Sequence, residues 1–308
     1  MKMLRLLLST LLILSLVSCS QTQISIYVTA YPLEYVAQRL AGEEVVIENI
    51  SSGSIASRST INKSALNRMS EDDIVFRIAQ LEPYLDLYTS QIQKKGVQIV
   101  DLAATSSSHL YNSNNKEVQS TTLNQSGTDL YRQDTYLWMD PIILSSMAAT
   151  MRDTLIDRLP DYEQLFNERY DELKRDLIKL DAAYQRLADS QSIRMLSMTP
   201  TFTVWSQSYN IDVYPVVLSR FGVLPSASQL SAIEEVVIQE EIHYLVVEPI
   251  LPTSMVELSW QISNNLSLTR VSLHDLFMLS DSDRLNGHNY LSIMYQNLET
   301  LLVLAESS

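Results

Sequence analysis

Short apolar, β-branched runs alternate with amphipathic helical stretches along this 308-residue chain, and one long charged helical segment splits the alternation into two halves. A strand–helix–strand rhythm dictates parallel strands, because the helix carries the chain back to the start of the sheet. In the first half the pattern predicts strands over 24–29, 45–50, 73–76 and 97–102. Leu33, Val36, Ala37 and Leu40 recur at helical spacing and stop at Gly42, so a helix is expected over 32–41. Further helices are expected over 62–69 and over 81–95, the latter closing at Gly96. Asp140-Pro141 supplies an N-cap and an N1 proline for a helix running to about Arg158. In the long segment over 162–189, Leu165, Tyr170, Leu173, Leu177, Leu180 and Tyr184 recur at steps of three to five residues. The second half repeats the rhythm, with strands over 193–198, 212–218, 243–247 and 267–273. Its helices are expected over 201–209, 226–240 with Ser228 as cap, 253–264 and 286–305.

The fold class that follows is α/β: two lobes, each a parallel sheet flanked by helices, joined by one long connecting helix. The expected divisions are a first lobe over 24–160, the connecting helix over 161–189 and a second lobe over 190–308. In open α/β sheets ligands sit outside the carboxyl ends of the strands, so the residues of interest follow the strands on the cleft side. The stretch over 103–133 interrupts the pattern with Ser, Asn, Thr and Gln and reads as a surface insertion.

The first nineteen residues read as an export address. Lys2 and Arg5 form a positive start, and Leu6 to Val17 form an apolar run too short to span a bilayer. Leu16-Val17-Ser18-Cys19 resembles a bacterial lipobox, which implies a signal peptide over 1–18, lipidation of Cys19 and a tether over 19–23. Cys19 is the chain's one cysteine. Removal of Lys2 and Arg5 would take the net charge from -14 to about -16. The expected location is exported and membrane-anchored by acyl chains.

Composition removes other classes. The acidic balance argues against nucleic acid as a partner. One cysteine and four histidines leave no Cys-rich zinc site. Six glycines and the absence of G-x-S-x-G, G-x-x-x-x-G-K-[ST] and H-E-x-x-H leave an enzymatic reading without a motif.

Several stretches together resemble the zinc/manganese-type solute-binding lipoproteins of ABC transporters. VTAYPLEYVAQRLAGEEVVIENI resembles that family's opening strand, Tyr-Pro-Leu helix start and second strand. DIVFRIAQLEPYLDLY, YLWMDPIILSSMA, LPSASQLSAIEEVVIQEEIHYLVVEP and NYLSIMYQNLETL resemble later segments, in the family's order. The resemblance implies an extracytoplasmic binding protein of an importer for zinc, manganese or iron. It would be a monomer that delivers one divalent or trivalent transition-metal ion to an ABC permease in the cytoplasmic membrane, and it would not be an enzyme. It also implies a stiff connecting helix and modest closure.

The resemblance further implies four metal positions. The first is a His in the segment after the second strand, where this chain has Ser52 to Ser57 and no His. The second falls on Tyr136, two residues before Trp138. The third falls on Thr199, three residues before Phe202. The fourth falls on His274 or Asp275. Most of the family's ligand positions are therefore substituted. Zinc takes N, S or carboxylate donors, so Thr199 is a weak ligand. Tyr136 would have to bind as phenolate, against a free pKa near 10. An alternative reading follows: a member that keeps the fold, has lost metal binding and serves as a surface lipoprotein for another ligand or partner. Of the other candidates, His109 lies in the polar stretch, His243 opens a strand and His288 caps the last helix. Glu248-Pro249 ends a strand as a helix-terminal or hinge contact, or as an acceptor behind the ligands.

Overall fold

The computed structural model describes residues 24–78, 81–104, 136–188 and 192–307. The signal segment, Cys19, the tether, His109 and nearly all of the polar stretch lie outside the described residues.

Two four-stranded parallel sheets form as the alternation requires. The first contains β1 (Ser25–Val28), β2 (Val46–Asn49), β5 (Ile74–Arg77) and β6 (Gln98–Asp101), in the order β2-β1-β5-β6. The second contains β7 (Ile193–Ser197), β8 (Ile211–Pro215), β9 (Tyr244–Val247) and β10 (Thr269–Ser272), in the order β10-β9-β7-β8. Numbered within each half, both orders are 2-1-3-4, so the halves share one topology. A small antiparallel ribbon of β3 (Ser51–Ser52) and β4 (Thr60–Ile61) is inserted after β2.

Between the halves runs α6 (Glu163–Ala188), 26 residues and about 39 Å long at 1.5 Å per residue. It buries Phe166, Tyr170, Leu173, Leu177, Leu180 and Tyr184 on one stripe. That stripe lies in a single apolar core that includes Ile26, Phe76 and Leu144 of the first half and Met195, Phe202 and Phe277 of the second. Helix α1 (Tyr31–Ala41), α5 (Pro141–Arg158) and the terminal α11 (Tyr290–Ser307) pack on it. None of the described helices is long and apolar enough to cross a membrane.

Helix starts follow local chemistry. Asp140 caps α5, accepting from the backbone N–H of Ile142 at 2.8 Å and of Ile143 at 3.1 Å. The structure corrects four sequence-based expectations. Helix α8 (Ala227–Gln239) is capped by Ser226, not Ser228, because Ser226 and Gln229 form a reciprocal capping box. Ser226→Ala should lower stability by about 1 kcal/mol, read as a shift of the urea midpoint; an unchanged midpoint would show that the capping box does not stabilise this helix. The helix expected over 81–95 is two short ones, α3 (Pro83–Asp86) and α4 (Thr89–Lys94), with Pro83 setting the start. The last helix begins at Tyr290, and Asn289 rather than His288 caps it, accepting from Ser292 N at 3.1 Å. The chain before it forms a separate short helix, α10 (Asp281–Leu285), which Gly287 ends in the left-handed region at φ 69°. The helix expected over 201–209 is likewise a 3-10 turn (Pro200–Phe202) followed by α7 (Trp205–Ser208).

Candidate functional site

A 2-1-3-4 sheet has its crevice between the first and third strands, at their carboxyl ends, where the order reverses. Both halves fill that crevice with a threonine after the first strand and a Glu-Pro after the third. In the first half the Thr29 hydroxyl donates to Glu82 Oε1. The Ile78 N–H reaches both carboxyl oxygens, at 3.2 and 2.9 Å, and the Arg77 guanidinium lies 3.7 Å from Oε2. Glu82 is fully buried, and burial pushes its pKa up to about 8 against the opposing pull of Thr29 and Arg77.

In the second half the Thr199 N–H donates to Glu248 Oε1 at 3.0 Å and the Thr199 hydroxyl to the same oxygen at 2.5 Å. The Thr201 hydroxyl stands 2.8 Å from that of Thr199. Glu248 Oε2 has no hydrogen-bond partner among the described residues, although Glu248 is only 2% exposed. Burial raises the pKa of Glu248 to about 8, and the neighbouring charge of Asp275 adds to the rise. Asp275 itself is buried just beyond β10, and burial lifts it to about 6 while His274 pulls the other way.

The tertiary fold brings several of the sequence-expected positions together. β10 pairs with β9 and β9 with β7, so the loops carrying Asp275, Glu248 and Thr199 leave adjacent strand ends. Tyr136 is buried and meets the Trp138 ring edge-on at 5.3 Å, and the Trp138 indole N–H donates to the Asp275 carbonyl at 2.9 Å. His274 is engaged in its own loop. Its Nδ1 accepts from Leu276 N at 2.9 Å, which in the neutral ring places the hydrogen on Nε2, 3.4 Å from Asp283 Oδ2. Asn297 holds the His274 backbone through both its N–H and its carbonyl.

The segment at the first expected position crosses to the other half. Ile55 is buried in the second half's smaller core with Leu196, Met198, Val216 and Met255. The Arg58 guanidinium donates to the Gly222 carbonyl at 2.8 Å and to Ser254 Oγ at 3.3 Å. Gly222 sits at φ 67°, and a Cβ there would stand 2.9 Å from Arg58 and Ser57 atoms, so this contact needs glycine.

Among the described residues no group of three or more His, Cys, Asp and Glu side chains is arranged to hold a metal ion. What gathers at these strand ends is two carboxyls, Glu248 and Asp275, with the Thr199 and Thr201 hydroxyls; Tyr136 reaches this region only through its ring contact with Trp138. These are oxygen donors, which suit hard cations better than soft ones. A separate groove lined by Tyr31, Tyr35, Arg39 and Arg284 lacks a free charge for a ligand, because Asp176 and Glu34 pair with the two arginines.

Sequence reasoning missed three features: the Thr29–Glu82 pair, the crossing of Ile55 and Arg58, and the tryptophan contacts between the halves. One signal for the first was present. Glu-Pro occurs after the third strand of each half, as Glu82-Pro83 and Glu248-Pro249.

Comparison with known proteins adds an independent line. The profile of the family described as zinc-uptake complex component A, periplasmic (ZnuA) matches residues 26–303. The zinc-binding lipoprotein AdcA of Streptococcus pneumoniae strain R6 is 23% identical over 309 residues, covering 98% of this chain and 60% of that protein. The chain thus spans about 60% of the length of the curated relatives it matches. Among solved structures, the Zn(II)-bound ZnuA-like domain of Streptococcus pneumoniae AdcA superposes with a TM-score of 0.69 at 19% identity, covering 92% of this chain and 99% of that one. The laminin-binding protein Lmb of Streptococcus agalactiae, described as an adhesin with metal transporting activity, gives 0.71 at 15% identity, covering 91% and 98%. At these identities the superpositions speak for the two-lobed α/β fold.

Proposed function

Because this chain belongs to the ZnuA family of periplasmic zinc-uptake components, matched over residues 26–303, we propose that it is an extracytoplasmic solute-binding lipoprotein of an ABC importer. It captures one transition-metal ion between its halves and presents it to a permease in the cytoplasmic membrane. It performs no chemistry on that ion. In this reading Cys19 carries the lipid anchor, and residues 24–160, 161–189 and 190–308 act as lobe, connecting helix and lobe. Zinc is the metal named for the streptococcal relatives, and manganese and iron belong to the same proposal at a finer level.

The observation that supports this reading best is the gathering of Asp275, Glu248 and Thr199 at three adjacent strand ends, on the side of the sheet where such folds take ligands. The halves are also tied together. Trp138 of the first donates to the Asp275 carbonyl of the second, and Trp205 of the second donates to the Met139 carbonyl of the first at 2.8 Å. A binding protein so clamped works by small closure. The comparisons lend no support to the alternative in which the fold is kept for a different ligand.

Calorimetry on residues 20–308 with Zn²⁺, Mn²⁺ and Fe³⁺ tests the proposal. The expected result is 1:1 binding of at least one ion at about micromolar Kd or tighter. Asp275→Asn should weaken it about tenfold or more, since a divalent ion loses one of two buried counter-charges. No stoichiometric binding of any of the three ions would overturn the proposal.

A further inference from the structure

The two halves offer an internal comparison. Both place a buried Glu-Pro carboxyl beside a threonine in the crevice of a 2-1-3-4 sheet. In the first half that carboxyl is satisfied: Oε1 takes Thr29 and Ile78 N, and Oε2 takes Ile78 N with a guanidinium 3.7 Å away. In the second half Oε1 takes both groups of Thr199, and Oε2 takes nothing among the described residues. A buried carboxyl oxygen without a partner is costly, and native structures rarely leave one without a purpose. Where the first half sets a cation beside Oε2, the second half leaves the place for one.

From this we infer that Glu248 Oε2 is a ligand atom for the cargo ion, shared with the Asp275 carboxylate, in an oxygen-donor site of the class that takes a hard divalent cation such as Mn²⁺. The inference rests on the proposed metal-capture function and deepens it by naming the class of ion. Three features carry it. Glu248 and Asp275 follow the neighbouring strands β9 and β10, which are in register as Val247 with Ser272. Thr199 holds the carboxyl by Oε1 and so fixes the direction of Oε2. The donors that gather here are carboxyl and hydroxyl oxygens, while His274 Nδ1 is taken by Leu276 N and its Nε2, which makes no hydrogen bond among the described residues, faces Asp283 Oδ2 at 3.4 Å. Carboxylate and water ligands suit manganese, whereas zinc sites draw on imidazole and thiolate. Two carboxylates also match the charge of one divalent ion.

The test compares Mn²⁺ and Zn²⁺ binding by wild type, Glu248→Gln and Glu82→Gln. Glu248→Gln keeps an acceptor for Thr199 but loses the anionic oxygen. Wild type should bind Mn²⁺ 1:1, Glu248→Gln should weaken this about tenfold or more, and Glu82→Gln, whose oxygens are already engaged, should leave it unchanged. A thermal midpoint for each variant guards against a folding defect. Should Glu248→Gln unfold, Glu248→Asp decides: the shorter side chain withdraws the oxygen and should weaken Mn²⁺ binding about tenfold or more. Mn²⁺ binding at wild-type strength by a folded Glu248→Gln or, failing that, by Glu248→Asp overturns the inference. Tight Zn²⁺ binding with no Mn²⁺ binding overturns it too, while leaving the capture function standing. Binding of neither ion would remove both.

Discussion

Trp205→Ala should lower the unfolding free energy by about 3–5 kcal/mol, the range for emptying a buried aromatic site. Trp205 is fully buried, with ring centroids 4.9 Å from Phe202 and 5.7 Å from Tyr184. Tyr184 lies on α6 and in turn donates to the Met294 carbonyl on α11 at 2.8 Å. The indole therefore fills the junction where the second sheet, the connecting helix and the terminal helix meet. Its N–H also satisfies the Met139 carbonyl, which an alanine would leave buried and unpaired at a further cost of about 1–3 kcal/mol. Trp205→Phe keeps most of the ring and loses the N–H, so it should cost about 1–3 kcal/mol. Urea denaturation of the three proteins measures both terms. A loss below about 1 kcal/mol in the alanine variant would show that the two halves are not joined through this residue.

Stability should fall as the pH rises from about 4.5 to about 8, with Glu82 as a principal cause. The unfolded Glu82 carboxyl titrates near its ordinary value of 4.5, and the folded one near 8. Below that window both forms hold the proton, and above it both have lost it. Within the window only the unfolded form ionises, so rising pH favours unfolding. At about 1.4 kcal/mol per unit the effect amounts to several kcal/mol, as an order of magnitude. The groups facing Glu82 are Thr29, the Ile78 N–H and Arg77, which favour its ionisation, and Asp101, which opposes it. Glu82→Gln should flatten the dependence, because the amide cannot ionise. Thermal midpoints at pH 5 and pH 8 decide the matter: the drop between them should be smaller in the variant than in wild type. Equal drops would rule Glu82 out as the group responsible.

The parts of the fold that could be read from the chain are those set by neighbours in sequence. Leu33, Val36, Ala37 and Leu40 define one helix face whatever surrounds them, and Asp140-Pro141 starts a helix by satisfying its own first N–H groups. The alternation forced two parallel sheets. The Ser226–Gln229 capping box is equally local, and it lies two residues before the serine expected as cap. Family resemblance locates Tyr136, Thr199, His274 and Asp275, while Glu248 reads in sequence as a hinge contact or as an acceptor behind the ligands.

The candidate site shows where local reading stops. Trp138 meets Asp275 across 137 residues, and Thr199 meets Glu248 across 49. His274 and Asp275 are adjacent in sequence, but the fold engages the imidazole Nδ1 with Leu276 N, turns Nε2 towards Asp283 and seals the carboxyl in the interior. Ile55 reads as an ordinary apolar residue of the first half, and only packing places it in the core of the second. The sequence by itself determined the α/β class, the parallel strands and the long dividing helix, because side-chain periodicity and caps act over a few residues. The tertiary structure decided which carboxyl oxygen is satisfied and which is not. Desolvation and hydrogen-bond partners are properties of the space around an atom, and in this chain that space is built by segments far apart in sequence.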